Sequence, residues 1–87
     1  MIHKIFAVLD SKAETYTHPL IFKTKGEAIR SFADEANNGN SQISRHPEDY
    51  TLFEVGSYDD SNATFDLLPT PTPVGKALEF VSRGQAD

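Results

Sequence analysis

The chain has 87 residues and a formal net charge of −5, with 13 acidic side chains against 8 lysines and arginines. This length allows one small domain, and the acidic balance argues against a generic basic nucleic-acid coat. The absence of cysteine excludes disulfides and thiolate zinc sites and indicates a reducing compartment. The longest apolar run, residues 5–9, is too short to cross a bilayer, and no signal-peptide cleavage site follows it.

The first part of the chain predicts two strands. Ile2 to Leu9 is rich in β-branched and aromatic residues, and both of its faces are largely apolar, which favours a central place in a sheet. Residues 11–17 are polar and are expected to form a turn or a frayed strand start. Residues 20–22 then form a short second strand after Pro19, which cannot donate a hydrogen bond to a neighbouring strand.

A capping box predicts where the helix begins. The Thr24 hydroxyl should accept a hydrogen bond from the Glu27 amide, and the Glu27 carboxylate should reach back to the Thr24 amide. We expect a helix from Lys25 to about Asn37, ended by a left-handed cap in residues 37–40. Its apolar stripe comprises Ala28, Ile29, Phe32, Ala33 and Ala36.

The second half predicts a hairpin. Residues 41–49 are polar and are predicted to form a loop, and residues 51–58 form the next strand. Residues 59–62 form a turn of Asx type, because Asp and Asn side chains hydrogen-bond their own backbone. Residues 64–68 return as the second strand of the hairpin.

The end of the chain is predicted from its prolines. Pro69, Pro71 and Pro73 alternate with threonines and indicate extended, polyproline-like chain rather than sheet. Residues 74–81 are predicted to form a short helix, with a strand over 77–81 as the alternative. The remaining small and polar residues, 82–87, are expected to be a frayed tail.

These elements define the predicted fold class, α+β. Residues 1–81 form a single domain with the order β-β-α-β-β, mainly antiparallel, with one amphipathic helix on one face and a short C-terminal helix. The six phenylalanines are expected in the core. One helix covers only one face of a sheet, so the other face stays partly apolar, and a homodimer is one way to cover it.

No group of residues predicts catalysis. The carboxylates form no recognisable dyad, so we expect no enzyme and no cofactor. His46, Glu48 and Asp49 could hold a hard metal ion, but zinc sites need three or four regularly spaced ligands, and a structural turn around Pro47 is the preferred interpretation. Phosphate binding at the helix start is disfavoured, because Glu27 places a carboxylate there.

Charge is distributed unevenly along the chain. Residues 1–30 carry five cations and three acids, whereas residues 31–87 carry three cations and ten acids. A local basic face over an acidic body is therefore possible, and an exposed aromatic side chain beside it could stack on single-stranded bases.

Several stretches together resemble the small nonstructural protein of gokushoviruses, microviruses first known from Chlamydia and related hosts. The likeness covers nearly the whole chain, and it is carried by residues 10–14 (DSKAE), 23–30 (KTKGEAIR), 46–56 (HPEDYTLFEVG), 68–71 (LPTP) and 77–80 (ALEF). The resemblance implies a phage protein made in the host bacterial cytoplasm and absent from the capsid shell. Members are likened to microvirus protein C and described as DNA-binding or replication-associated, without an established active site.

The leading hypothesis is a noncatalytic accessory factor in viral single-stranded DNA replication or packaging, with weak binding of single-stranded DNA. Cations on the N-terminal basic side would contact the phosphates, and an aromatic residue in a polar stretch, Tyr16, would stack on the bases. The cations are Lys4, Lys12, Lys23, Lys25 and Arg30. The alternative is a homodimeric interaction module that binds a viral or host replication protein or procapsid and touches neither DNA nor membrane. Its acidic recognition surface would be Glu48-Asp49 and Asp59-Asp60.

Overall fold

A computed structural model describes residues 1–81. The predicted frayed tail, 82–87, lies outside the described residues. The described residues form five strands and one long helix, with the bounds β1 (Ile2–Asp10), β2 (Thr15–Tyr16), β3 (Leu20–Phe22), α1 (Lys25–Ala36), β4 (Tyr50–Asp59) and β5 (Thr64–Lys76). A short helix α2 (Gln42–Arg45) and two 3₁₀ turns, Pro47–Asp49 and Ala77–Phe80, complete the described part of the chain.

The strands form one antiparallel sheet with β1 inside it. On one side β1 pairs with both β2 and β3, and on the other side it pairs with β4 along its whole length. β5 pairs with the outer edge of β4. The apolar character of both faces of β1 therefore indicated its inner position correctly.

Val55 is an irregular point in this sheet. Along β1, Ile5 pairs with Gly56 whereas the next residue, Phe6, pairs with Glu54. Val55 is therefore an extra residue on β4 with no partner on β1. On the other side of β4, Gly56 pairs with Leu67 and Glu54 pairs with Thr72, so residues 68–71 of β5 lie opposite Val55. Bulges of this kind increase the twist of a sheet and change the direction of a side chain.

The main core lies between the sheet and α1. Phe6 and Val8 from β1 and Leu52 from β4 pack against three side chains of α1, and all are almost fully buried. The α1 residues are those of the predicted stripe that face the sheet most directly: Ala28, Phe32 and Ala36. The predicted amphipathic helix is thus confirmed in position and in the face it buries.

Both ends of α1 differ in detail from the prediction. The Thr24 hydroxyl accepts the Glu27 amide at 3.1 Å as expected, but the Glu27 carboxylate accepts the amide of Lys23, one residue earlier than predicted. At the other end no left-handed cap forms. Asn37 has φ −104°, and its side-chain amide donates to the carbonyl oxygens of Ala33 and Phe80.

Two other local predictions were wrong, and a third was only partly right. Residues 41–49 contain α2 and a 3₁₀ turn rather than only a loop, because the Ser41 hydroxyl caps a short helix by accepting the Ser44 amide. β5 continues through the prolines to Lys76, which an edge strand tolerates because one side of its backbone needs no partner. The C-terminal helix is only the turn Ala77–Phe80, and residues 77–81 form no strand.

Candidate binding face

The sheet face opposite α1 is not covered by any other element among residues 1–81. Residues opposite one another in the register share a face, and this assigns the members of what we call the open face. Its members include Ile5, Ala7, Leu9, Tyr16, Ile21, Phe53, Val55, Tyr58, Phe65 and Leu67, with His3 and Thr51 on the same face. Four of them are strongly exposed: Phe65 at 60%, Leu67 at 59%, Ile21 at 54% and Tyr16 at 45%.

A groove of about 540 Å³ runs along the open face. Its floor is formed by Ile5 and Val55, which come from the two inner strands. One wall is Ile21 with the neighbouring Pro19, and the other wall is Phe65 with Leu67 from β5. All six lining residues are apolar, so a ligand would meet no ionised side chain in the groove itself.

Aromatic pairs lie at both ends of the open face. Tyr16 packs edge-on against Phe53, with ring centroids 5.5 Å apart and planes at 74°. Tyr58 and Phe65 form a tilted pair with centroids 4.8 Å apart. These contacts hold Tyr16 and Phe65 in place while leaving much of their surface in solvent, as a preformed binding surface requires.

The prediction that all six phenylalanines lie in the core was therefore wrong for two of them. Phe6 and Phe32 are buried, and Phe22 and Phe80 pack against the same core. Phe53 and Phe65 instead lie on the open face. Strand alternation decides this, because Phe65 stands opposite Tyr58, whose side chain points away from α1.

The predicted phosphate-binding cations fall into two regions. Lys4 and Lys25 both contact Glu54, with N–O distances of 3.6 and 3.7 Å, and Lys23 lies just before the start of α1. Glu27 hydrogen-bonds the Lys23 amide. Three cations therefore share one end of the helix with two carboxylates, and this region lies on the helix side of the sheet.

The other three predicted residues lie elsewhere. Arg30 is exposed on α1. Lys12 follows β1 in a turn held by Asp10, whose carboxylate accepts the amides of Lys12 and Ala13. Tyr16 is on the open face, opposite Leu9 in the register. The structure thus brings together Lys4, Lys23 and Lys25 but does not bring Tyr16 to them.

The two acidic pairs lie at opposite ends of β1. Asp59 pairs with Ile2, whereas the carbonyl of Asp49 accepts the Ser11 amide. These points are about 30 Å apart, since β1 has nine residues and a strand rises about 3.3 Å per residue. The acidic pairs therefore do not form one continuous surface.

Each acidic pair also has its own local partners. The Met1 amine and His3 each lie 2.7 Å from a carboxylate oxygen of Asp60, and these hydrogen bonds lower the pKa of the Asp60 carboxyl. The Met1 amine has a raised pKa for the same reason. At the other end, one ligand atom each of His46, Glu48 and Asp49 lies within 4.8 Å of the others. His46 and Glu48 are exposed, and their grouping follows from the 3₁₀ turn.

The open face was only partly visible in the sequence. Period-two apolar patterns on both sides of β1 predicted a second apolar face. Phe65 and Leu67 could have been recognised by the same alternation within residues 64–68. The groove could not, because it depends on the bulge at Val55 and on the placement of Pro19 beside Ile21.

The fold and this site together define a small α+β protein with one sheet face packed under a helix and the other apolar and uncovered. The chain belongs to the family described as phage ORF5 protein, whose model matches residues 3–80. Comparisons with curated proteins and with solved structures gave no match. None of the helices within residues 1–81 is long and apolar enough to span a membrane.

Proposed function

We propose that this phage protein is a noncatalytic accessory factor that acts by binding, with the open face as its interface. The process it serves is single-stranded DNA replication or packaging in the host cytoplasm, as the resemblance to the gokushovirus nonstructural protein implies. The observation that carries the proposal is the exposed apolar groove between Ile21 and Leu67. Small soluble domains rarely expose a continuous apolar patch of this kind unless it binds something.

The character of the groove favours a protein as its occupant. Platforms for single-stranded DNA combine aromatic side chains with a cationic track for the backbone. Here the six groove residues are uncharged, and Lys4 and Lys25 lie on the other side of the sheet beside Glu54. Burying this groove against another apolar surface requires no ionised group to lose its water.

The test is a pair of leucine substitutions made in the phage itself. Leu67→Lys places a charge on the groove wall, and Leu78→Lys places the same charge on an exposed leucine of the C-terminal 3₁₀ turn, outside the open face. We expect Leu67→Lys to reduce phage yield at least tenfold and to lower the ratio of single-stranded to duplex phage DNA in infected cells. Leu78→Lys should leave both close to wild type.

Circular dichroism and thermal unfolding of the two purified variants provide the control for folding. Both leucines are about half exposed, so neither substitution removes a core contact. A folded Leu67→Lys variant that supports normal yield and a normal DNA ratio would contradict the proposal.

A second candidate function is weak binding of single-stranded DNA at the start of α1. It is favoured by the grouping of Lys4, Lys23 and Lys25 within one region, where three cations meet two carboxylates. The expected affinity is low because the net positive charge there is small and the whole chain is acidic.

Fluorescence anisotropy of a labelled oligonucleotide tests this second candidate. Binding should appear at low salt, fall steeply toward physiological salt and be weaker for duplex DNA. Lys23→Glu combined with Lys25→Glu should abolish it, and Arg45→Glu combined with Lys76→Glu, on α2 and β5, serves as the charge-matched control. Anisotropy that stays flat at both salt concentrations would exclude DNA binding as a function of this region.

A further inference from the structure

We propose that the occupant of the open face is a second copy of this chain, so that two sheets pack face to face in a symmetric dimer. This inference rests on the proposed function, because it uses the same surface. It adds the identity of the partner and the geometry of the contact. Three observations support the inference: the area of the open face, its shape, and the poor ability of the two sheet edges to pair with a further strand.

The exposed apolar area is close to what the smaller specific interfaces bury. Four side chains of about 200 Å² each, exposed by roughly half, contribute about 400 Å². The partly buried residues around them, Phe53, Val55 and Tyr58, bring the face to about 500–600 Å² per protomer. Standard interfaces bury about 800 Å² per partner, and the weaker specific ones about 600 Å².

The open face carries both a raised wall and a recess, the two features that a twofold interface would fit together. A twofold interface uses the same patch on both subunits, so each raised part must fit a recess on its own surface. The wall formed by Phe65 and Leu67 stands beside a groove with Ile5 and Val55 at its floor. In the proposed dimer this wall enters the groove of the partner, next to the opposite wall at Ile21, and the contact is repeated by symmetry.

The edges of the sheet favour packing through the face rather than strand addition. On β5, Pro69, Pro71 and Pro73 have no N–H to offer a further strand. At the other edge β2 and β3 contain only two and three residues. Neither edge provides a long row of free backbone groups, whereas the open face provides a broad apolar one.

Sedimentation equilibrium of the full chain tests the proposal directly. At concentrations from about 5 to 500 μM the wild-type protein should approach twice its mass of 9.6 kDa. Leu67→Lys should remain monomeric, because the symmetric contact would bury two equal charges. Leu78→Lys should dimerise like the wild type.

A cross-linking experiment tests the geometry independently of mutational damage. The chain contains no cysteine, so single cysteines can be introduced without background. A mixture of Leu67→Cys and Ile21→Cys proteins should form a mixed disulfide at least fivefold faster than a mixture of Leu67→Cys and Leu78→Cys proteins. Equal rates would overturn the face-to-face arrangement.

The other possible results of these experiments also test the proposed dimer. A wild-type protein that is monomeric at 500 μM would overturn the dimer, as would a dimer that persists in Leu67→Lys. If the monomeric wild type bound single-stranded DNA and Leu67→Glu abolished that binding, the face would be a nucleic-acid platform instead. A monomeric wild type combined with a defective Leu67→Lys phage would leave the proposed function intact and remove only the second copy as its partner.

Discussion

Gly56 shows how closely the middle of the sheet is packed at the scale of one residue. A Cβ atom at this position would lie 2.5 Å from the carbonyl oxygen of Asp66 and 2.8 Å from the Cα atom of Leu67. Both neighbours are backbone atoms of β5, so a rotamer change cannot relieve the clash. Any larger side chain at Gly56 must therefore displace β5 from its register.

We expect Gly56→Ala to lower the free energy of unfolding by about 1–3 kcal/mol through this overpacking. Gly39→Ala is the matched control, since nothing lies within 4 Å of its added Cβ and no described glycine has a positive φ. Its effect should stay within about 0.5 kcal/mol. Urea unfolding at one fixed protein concentration measures both, and equal midpoints would show that β5 accommodates the methyl group.

At the scale of secondary-structure elements, the sequence predicted well those features that depend on residues close to one another in the chain. The start of α1 followed from Thr24 and Glu27, and its buried face followed from the spacing of Ala28, Phe32 and Ala36. The Asx turn was also correct, because the Asp59 carboxylate accepts hydrogen bonds from the Ser61 amide and hydroxyl. These interactions span only a few residues and need no tertiary contact.

The parts that could not be predicted depend on tertiary position. Prolines indicate irregular chain when taken alone, but β5 lies at an edge, where pairing with β4 on one side keeps it extended through Pro73. Likewise Tyr16 and the basic residues of positions 1–30 were predicted to share one surface. The chain separates them, because Lys4 and Lys25 point toward the helix side whereas Tyr16 lies on the open face.

At the scale of the whole molecule, the net charge of −5 distinguishes the two proposed kinds of binding. Two like-charged copies repel each other, and salt screens that repulsion. Contacts with phosphate weaken as salt rises, because released counterions must be displaced against a higher bulk concentration.

We therefore expect opposite salt dependences. Between about 0.05 and 0.3 M salt the dissociation constant of the dimer should fall or stay level, while that for single-stranded DNA should rise at least tenfold. Sedimentation and anisotropy on one protein preparation measure both. A dimer that dissociates as salt is added would show that its contacts are ionic rather than apolar.

The pairing of Ile2 with Asp59 has a consequence for how the protein is made. β1 precedes the other described elements in the chain, yet the strand that pairs along its long side is complete only when Asp59 has been added. Until then Phe6 and Val8 have no sheet partner on that side, although β3 and α1 are already available. Contacts of such long sequence separation form late and slow the folding of small domains. The sheet can therefore close only after β4 has left the ribosome, and until then the backbone of β1 on that side stays unpaired.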